Sequence, residues 1–101
     1  IQENKDLGHI IQWIVPNSQK NRMEPILMQI EPGGTSKPDD PHDGEEFGYV
    51  ISGIVFLHLG NECYRVKKGE SFYFKPSLVH YISNKSSFHA TIIWVSSPPS
   101  F

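Results

Sequence analysis

The sequence predicts an all-β domain built as a two-sheet sandwich or barrel. Three observations support this. Short apolar runs of strand length recur along the chain, Gly, Pro and Asn separate them, and no window of adequate length shows helical periodicity. The length of 101 residues is that of a single domain. We therefore expect one domain over residues 1–101, with residues 1–8 as a frayed lead-in or linker and the barrel over residues 9–96.

Each predicted strand is a short run rich in β-branched and aromatic residues, closed by a turn signal. In chain order the runs cover residues 9–15, 25–30, 47–52, 54–59, 63–66, 71–74, 80–83 and 90–96. Gly60 and Asn61 have the form of a hairpin turn between the fourth and fifth runs. The loop over residues 33–45 is long and rich in Pro, Asp and Gly, and long loops inside small domains are often functional.

The composition argues against several classes of protein. Hydrophobic residues make up 38% of the chain and charged residues 20%, as in an ordinary globular protein. The formal net charge of -2, without a basic cluster, argues against nucleic-acid binding by this domain itself. No apolar run is long enough to span a membrane, so we expect no membrane partner. The single cysteine, Cys63, excludes an internal disulfide, fits a reducing cytoplasm, and is predicted to be a small core residue.

The acidic loop that leads into residues 47–52 carries a candidate site. If this segment is extended, side chains alternate between faces, so Asp40, His42 and Glu46 point the same way. Imidazole nitrogen and carboxylate oxygen suit first-row divalent metals. A second segment must supply a further ligand, and His80 is the best candidate. We predict His42, Glu46 and His80 as ligands of a metal or of an organic molecule, with Asp40 as a candidate fourth metal ligand.

The neighbours of these residues are assigned by the same alternation. Gly48, Val50 and Ile82 share faces with Glu46 and His80 and are predicted to line a ligand pocket. The remaining acidic residues of the loop are predicted to be solvated; they are Asp39, Asp43 and Glu45.

Other side chains are assigned structural roles. We predict surface or structural positions for His9, His58 and His89. Ile54 and Phe56 are predicted on the outer face of their strand, where apolar side chains often mark an interface, so we expect a homodimer through that face.

Two spaced motifs resemble those of the cupins, a family of small jelly-roll barrels. The first cupin motif is Gly-x5-His-x-His-x3-4-Glu-x6-Gly, and here Gly34, His42, Glu46 and Gly53 keep its spacing while Asp40 replaces the first His. The second motif is Gly-x5-Pro-x-Gly-x2-His-x3-Asn. Its ends are kept at Gly69, His80 and Asn84, and its interior departs at Lys75, Pro76 and Ser77. The resemblance implies a cupin double-stranded β-helix and a divalent metal such as Fe, Mn, Ni or Zn.

A narrower resemblance is to the C-terminal cupin domain of helix-turn-helix regulators of the XRE type. It rests on three stretches, at residues 44–50, 69–74 and 97–101. The resemblance implies an effector-sensing domain, with DNA bound by a separate N-terminal domain. The chain begins at Ile1 rather than Met, as expected for a piece of such a protein.

Two alternatives to the sensor remain at this point. One is a stand-alone metal-dependent cupin enzyme, such as a dioxygenase or isomerase. The other is a ligand-free dimerisation module, in which His42 and His80 would be replaceable without consequence.

Overall fold

Alternation of inward apolar and outward polar side chains builds two antiparallel sheets around one core. The structure is a computed structural model that describes residues 1–101. Its strands are β1 (Gln2–Asn4), β2 (His9–Trp13), β3 (Glu24–Ile30), β4 (Glu45–Ser52), β5 (Ile54–Leu59), β6 (Glu62–Lys67), β7 (Ser71–Phe74), β8 (His80–Ser83) and β9 (Ala90–Ser97). The only helical element is a 3-10 turn at Ser18–Lys20.

The two sheets differ in size and share the core. The larger has the order β1-β2-β3-β9-β4-β7 and the smaller the order β6-β5-β8. The core cluster of 14 buried residues draws side chains from both sheets, including Ile92 and Trp94 of β9 and Val55 and Leu57 of β5. In β9 every second residue is buried along the whole strand, as expected where one face of a sheet covers a core. The predicted all-β, two-sheet domain is confirmed.

The N-terminal stretch differs from its prediction. Residues 1–8, predicted as a frayed lead-in or linker, contribute β1, which pairs with β2 from Gln2↔Ile11 to Asn4↔His9. The side chains of Gln2 and Glu3 are exposed, so β1 carries no apolar alternation that a sequence pattern could detect. Its strand conformation is held by backbone pairing with β2 rather than by burial of apolar side chains.

Cys63 also differs from its prediction. It is exposed rather than part of the core. The reason is the position of β6 at the edge of the smaller sheet, where only Val66 of the strand is buried.

A buried carboxylate at the start of β3 anchors the segment that follows β9. Glu24 is fully buried, and each of its two carboxylate oxygens accepts two hydrogen bonds. Oε2 accepts from Trp13 Nε1 at 2.6 Å and from Gln19 Nε2 at 3.0 Å. Oε1 accepts from the backbone amides of Ser100 and Phe101, each at 2.9 Å. Residues 98–101 are thereby held against the barrel, and the ring of Phe101 meets the edge of Trp94 at 5.0 Å between centroids.

Membrane-spanning helices are not a feature of this structure, since no helix in it is both long and apolar enough to cross a bilayer.

Candidate functional site

Three elements bring His42, Glu46 and His80 together. Glu46 lies on the inward face of β4, and His80 opens β8 in the facing sheet; both are fully buried. His42 lies in the loop before β4, where its backbone amide donates to the carbonyl of Pro76 at 2.9 Å. The predicted convergence of these three residues is what the structure shows.

Both imidazole rings point the same nitrogen at one carboxylate oxygen. Nε2 of His42 and Nε2 of His80 each lie 3.0 Å from Oε2 of Glu46. The ligand atoms of the three residues all lie within 4.8 Å of one another. A carboxylate oxygen flanked by two imidazole nitrogens is a compact set of electron-pair donors.

The tautomers of the two rings follow from their other contacts. Nδ1 of His42 lies 2.9 Å from the carbonyl of Asp43, and Nδ1 of His80 lies 2.9 Å from the carbonyl of Leu78. A carbonyl oxygen only accepts, so Nδ1 carries the proton in each ring and Nε2 of a neutral ring carries a lone pair. Three lone-pair atoms then face one another, and only a cation between them, a proton or a metal ion, makes that arrangement favourable.

The need for a cation between these atoms is clearest at His80. Its Nε2 is buried and has no partner in hydrogen-bond geometry, although Glu46 Oε2 is close. Burial acts to lower the pKa of His80, but the carboxylate of Glu46, the carbonyl of Leu78 and the charge of Asp39 together outweigh it and raise the pKa. The donor set fits a divalent metal, because two imidazoles and one carboxylate match the preferences of first-row ions.

Asp40, the predicted fourth metal ligand, does not reach the cluster. It is exposed. Asp39, predicted to be solvated, is instead half-buried, with Oδ2 3.8 Å from Nε2 of His80, although it too lies outside the group of ligand atoms within 4.8 Å of one another. The alternation of faces assumed for residues 40–46 fails because β4 begins only at Glu45 and Gly44 has a φ of 118°. Burial is the main cause of a raised pKa at Asp39.

A cavity lies near the cluster, although none of His42, Glu46 and His80 lines it. Glu46 accepts a hydrogen bond from Trp94 Nε1 through its second oxygen, Oε1, at 2.7 Å. Trp94 and Asp39 also line a cavity of about 260 Å³, so both join the cluster to an open space. Its remaining wall combines apolar and polar groups, among them Met28, Phe101, Lys37 and His9. A cavity of mixed lining suits a small molecule that has both apolar and polar parts.

The predicted pocket neighbours do not line this cavity. Val50 and Ile82 are fully buried in the core, and the ring of Phe72 covers Gly48. These residues do point inward, as predicted, but the barrel interior around them is filled by core side chains. The cavity lies instead against β1, β2, β3 and β9.

The other histidines lie outside the cluster, and His9 also forms part of the cavity wall. His9 is buried with Nδ1 2.8 Å from the carbonyl of Thr35, and His58 stacks on Tyr81. His89 is exposed.

The sequence is similar to known proteins along most of its length. The family model described as Cupin domain matches residues 26–96. An uncharacterized protein of Methanocaldococcus jannaschii is 31% identical over 96 residues, which cover 94% of this chain and 77% of that protein.

The HTH-type transcriptional regulator PuuR of Escherichia coli is 29% identical over 89 residues, covering 87% of this chain and 48% of PuuR. The chain thus spans about half the length of that relative. The crystal structure of the Cupin_2 domain of an XRE family transcriptional regulator from Enterobacter cloacae superposes with a TM-score of 0.80, at 19% identity, covering 92% of this chain and 99% of that chain. At that identity the likeness concerns the fold alone, and the predicted double-stranded β-helix is confirmed.

Proposed function

This chain belongs to the cupin domain family, and on that premise we propose that it is the small-molecule-sensing domain of a cytoplasmic transcriptional regulator. The effector would bind in the cavity beside His42, Glu46 and His80, directly or through one divalent metal ion. Similarity to PuuR and to the cupin domain of an XRE family regulator supports this class.

The observation that carries the proposal is the convergence of two imidazole nitrogens on one buried carboxylate oxygen. His42, Glu46 and His80 would hold a metal such as Fe, Mn, Ni or Zn. A bound metal would supply a Lewis-acid centre with coordination positions left for an effector. Trp94 holds the carboxylate of Glu46 in place through Oε1 and leaves Oε2 free to face the two rings.

The route from cavity to DNA would run through β1. The side chains of Gln2 and Asn4 line the cavity, and both belong to this first strand. An effector that contacts β1 would favour one arrangement of whatever domain precedes it, which is sensing by population shift. DNA would then be bound by an N-terminal helix-turn-helix domain rather than by this domain.

Metal binding is tested by elemental analysis of tag-free protein purified without chelator and incubated with each candidate metal. We expect close to one equivalent per chain in the wild type and its loss in the His42→Ala, His80→Ala double variant, because only Glu46 of the three ligands then remains. His58→Ala, which alters an imidazole outside the cluster, is the matched control and should keep the metal. No bound metal in the wild type would remove the metal from the proposal.

The effector is then sought by thermal shift with a small-molecule library. A compound that stabilises the wild type but not the double variant would support a sensor that uses this cluster. If every stabilising compound acts equally on both proteins, His42 and His80 are replaceable, and the ligand-free dimerisation module becomes the better interpretation.

An enzyme of the dioxygenase or isomerase type would share the cluster, since one fold hosts many chemistries. Conversion of a bound compound by the metal-loaded protein would favour the enzyme.

We also propose a homodimer, through a different face from the one predicted. Ile54 and Phe56 are already half-buried within the single chain, and Lys85 Nζ covers the Phe56 ring at 4.9 Å from its centroid, so this face exposes little apolar surface. The outer face of the larger sheet instead exposes large apolar side chains on β4 and β7. Their exposed fractions are 43% for Phe47, 42% for Tyr49, 38% for Ile51 and 57% for Tyr73. Within β4 and β7 the only charged side chain of this face is Glu45 at its edge, and exposed Lys75 follows β7 directly, so the patch has no cluster of like charges that would oppose a second copy across a two-fold axis.

Light scattering after gel filtration tests the dimer. We expect a dimeric mass for the wild type and a monomeric mass for the Tyr49→Lys, Tyr73→Lys variant, because four buried ammonium groups would oppose association. Phe56→Lys, on the face predicted from the sequence, should stay dimeric. A monomeric wild type would contradict the proposal, and loss of the dimer in Phe56→Lys alone would move the interface to β5.

A further inference from the structure

The carboxylate beside the cluster is held there by the backbone. Asp39 and His80 form an isolated antiparallel bridge, with Asp39 N donating to His80 O at 2.9 Å and His80 N donating to Asp39 O at 3.1 Å. Directly opposed residues of an antiparallel pair carry their side chains on the same face. The bridge therefore determines that Asp39, and not Asp40, lies next to the His80 ring.

The side chain of Asp39 takes no part in the hydrogen bonds that hold the fold together. It is half-buried, and no side chain or backbone group donates a hydrogen bond to its carboxylate. Its Oδ2 lies 3.8 Å from Nε2 of His80, the nitrogen that is itself buried without a hydrogen-bond partner. A partly buried carboxylate without donors is unfavourable unless something cationic or hydrogen-bonding reaches it.

We infer that Asp39 is the fourth protein group of the metal site, acting by direct coordination or through a metal-bound water. This inference rests on the metal-binding form of the proposed function. A carboxylate oxygen of Glu46 lies 3.0 Å and one of Asp39 lies 3.8 Å from His80 Nε2, so an ion bound to that nitrogen would have two negative charges near it, enough to balance a dication. Two nitrogen and two oxygen donors form a harder set than three histidines and one carboxylate would, and hard oxygen donors suit Mn²⁺.

The consequence is a difference between metals. Ni²⁺ binds imidazole strongly and depends less on carboxylate charge, whereas Mn²⁺ draws more of its binding energy from oxygen donors. Loss of the Asp39 charge should therefore weaken Mn²⁺ more than Ni²⁺. Asp39 also lines the cavity, so a metal bound in this way would lie at the cavity wall.

The test is calorimetric titration of Mn²⁺ and of Ni²⁺ into the wild type, Asp39→Asn and Asp40→Asn. Asn has nearly the volume of Asp and removes only the charge, and Asp40→Asn is the matched control one residue away. We expect Asp39→Asn to lower the affinity for Mn²⁺ by about 10- to 100-fold, the range found when a group that supports a metal site is lost. The affinity for Ni²⁺ should fall less, and Asp40→Asn should change the affinity for neither ion. Asp39→Ser, titrated in parallel, provides the same comparison if the amide disturbs the loop.

The outcomes separate this inference from the proposed function. Unchanged Mn²⁺ affinity in both Asp39 variants would overturn the inference while leaving a three-residue metal site intact. A loss of affinity in Asp40→Asn but not in Asp39→Asn would overturn it in favour of Asp40. A wild type that binds neither metal would overturn both the metal-binding form of the proposed function and the role of Asp39.

Discussion

Glu24→Ala is expected to lower the free energy of unfolding by about 3–5 kcal/mol, because several donors lose their shared acceptor at about 1–3 kcal/mol each. The carboxylate of Glu24 accepts four hydrogen bonds in a fully buried position. Its removal leaves Trp13 Nε1 and two backbone amides without their acceptor, and a buried unsatisfied donor costs about 1–3 kcal/mol. Gln19 is exposed and can turn to water, so the loss stays below the sum of four such costs.

Urea unfolding monitored by circular dichroism measures this effect. Glu31→Ala, which removes an exposed carboxylate at the other end of β3, is the control and should remain within about 0.5 kcal/mol of the wild type. Glu24→Gln, which keeps two of the four acceptor contacts, should fall between Glu24→Ala and the wild type and is the variant to use if Glu24→Ala does not fold. An unfolding midpoint for Glu24→Ala equal to that of Glu31→Ala would show that the four contacts do not stabilise the domain.

Gly48→Ala is expected to destabilise the domain by about 1–3 kcal/mol, the usual cost of overpacking a core. A Cβ at Gly48 would lie 2.0 Å from Cζ of Phe72, far inside contact distance. Gly48 pairs with Phe72 on β7 and with Trp94 on β9, so the missing side chain makes room for the Phe72 ring against the indole. Displacing that ring would also disturb Trp94, which holds Glu46.

The double variant Gly48→Ala, Phe72→Leu tests the steric explanation. Leu lacks the ring atoms that the new methyl group would meet, so it should recover part of the loss, measured by the same unfolding experiment. Strictly additive destabilisation by the two substitutions would contradict a clash between them, because residues in contact are expected to couple.

The parts of the site that lie within strands could be predicted from the sequence. Glu46 shares its face with Val50, and His80 shares its face with Ile82, so simple alternation placed both inward. The same rule failed in the loop, where a shift of one residue moves a side chain to the opposite face. Only the long-range bridge between Asp39 and His80 determines which aspartate faces the site, and such pairing has no local signal.

The inward position of Glu24 was not predicted, although the alternation of β3 indicates it. It has the same parity as Ile26, Met28 and Ile30, all of which are buried, so alternation carried one residue further would have placed a carboxylate inward. What could not be predicted is its set of donors. Two of these are backbone amides some 76 and 77 residues away in the chain, and their approach depends on how the whole domain closes.

The indole of Trp94 makes the site optically visible. The chain has two tryptophans, and each donates its indole N–H to a buried glutamate, Trp13 to Glu24 and Trp94 to Glu46. Trp13 therefore lies beside Glu24, away from the cluster, whereas Trp94 contacts Glu46 of the cluster and also lines the cavity. Paramagnetic ions quench nearby excited states, and a change in charge at a hydrogen-bonded carboxylate shifts indole emission. The molecule thus carries both a reporter of its own site and an internal reference, and binding can be followed without an added label.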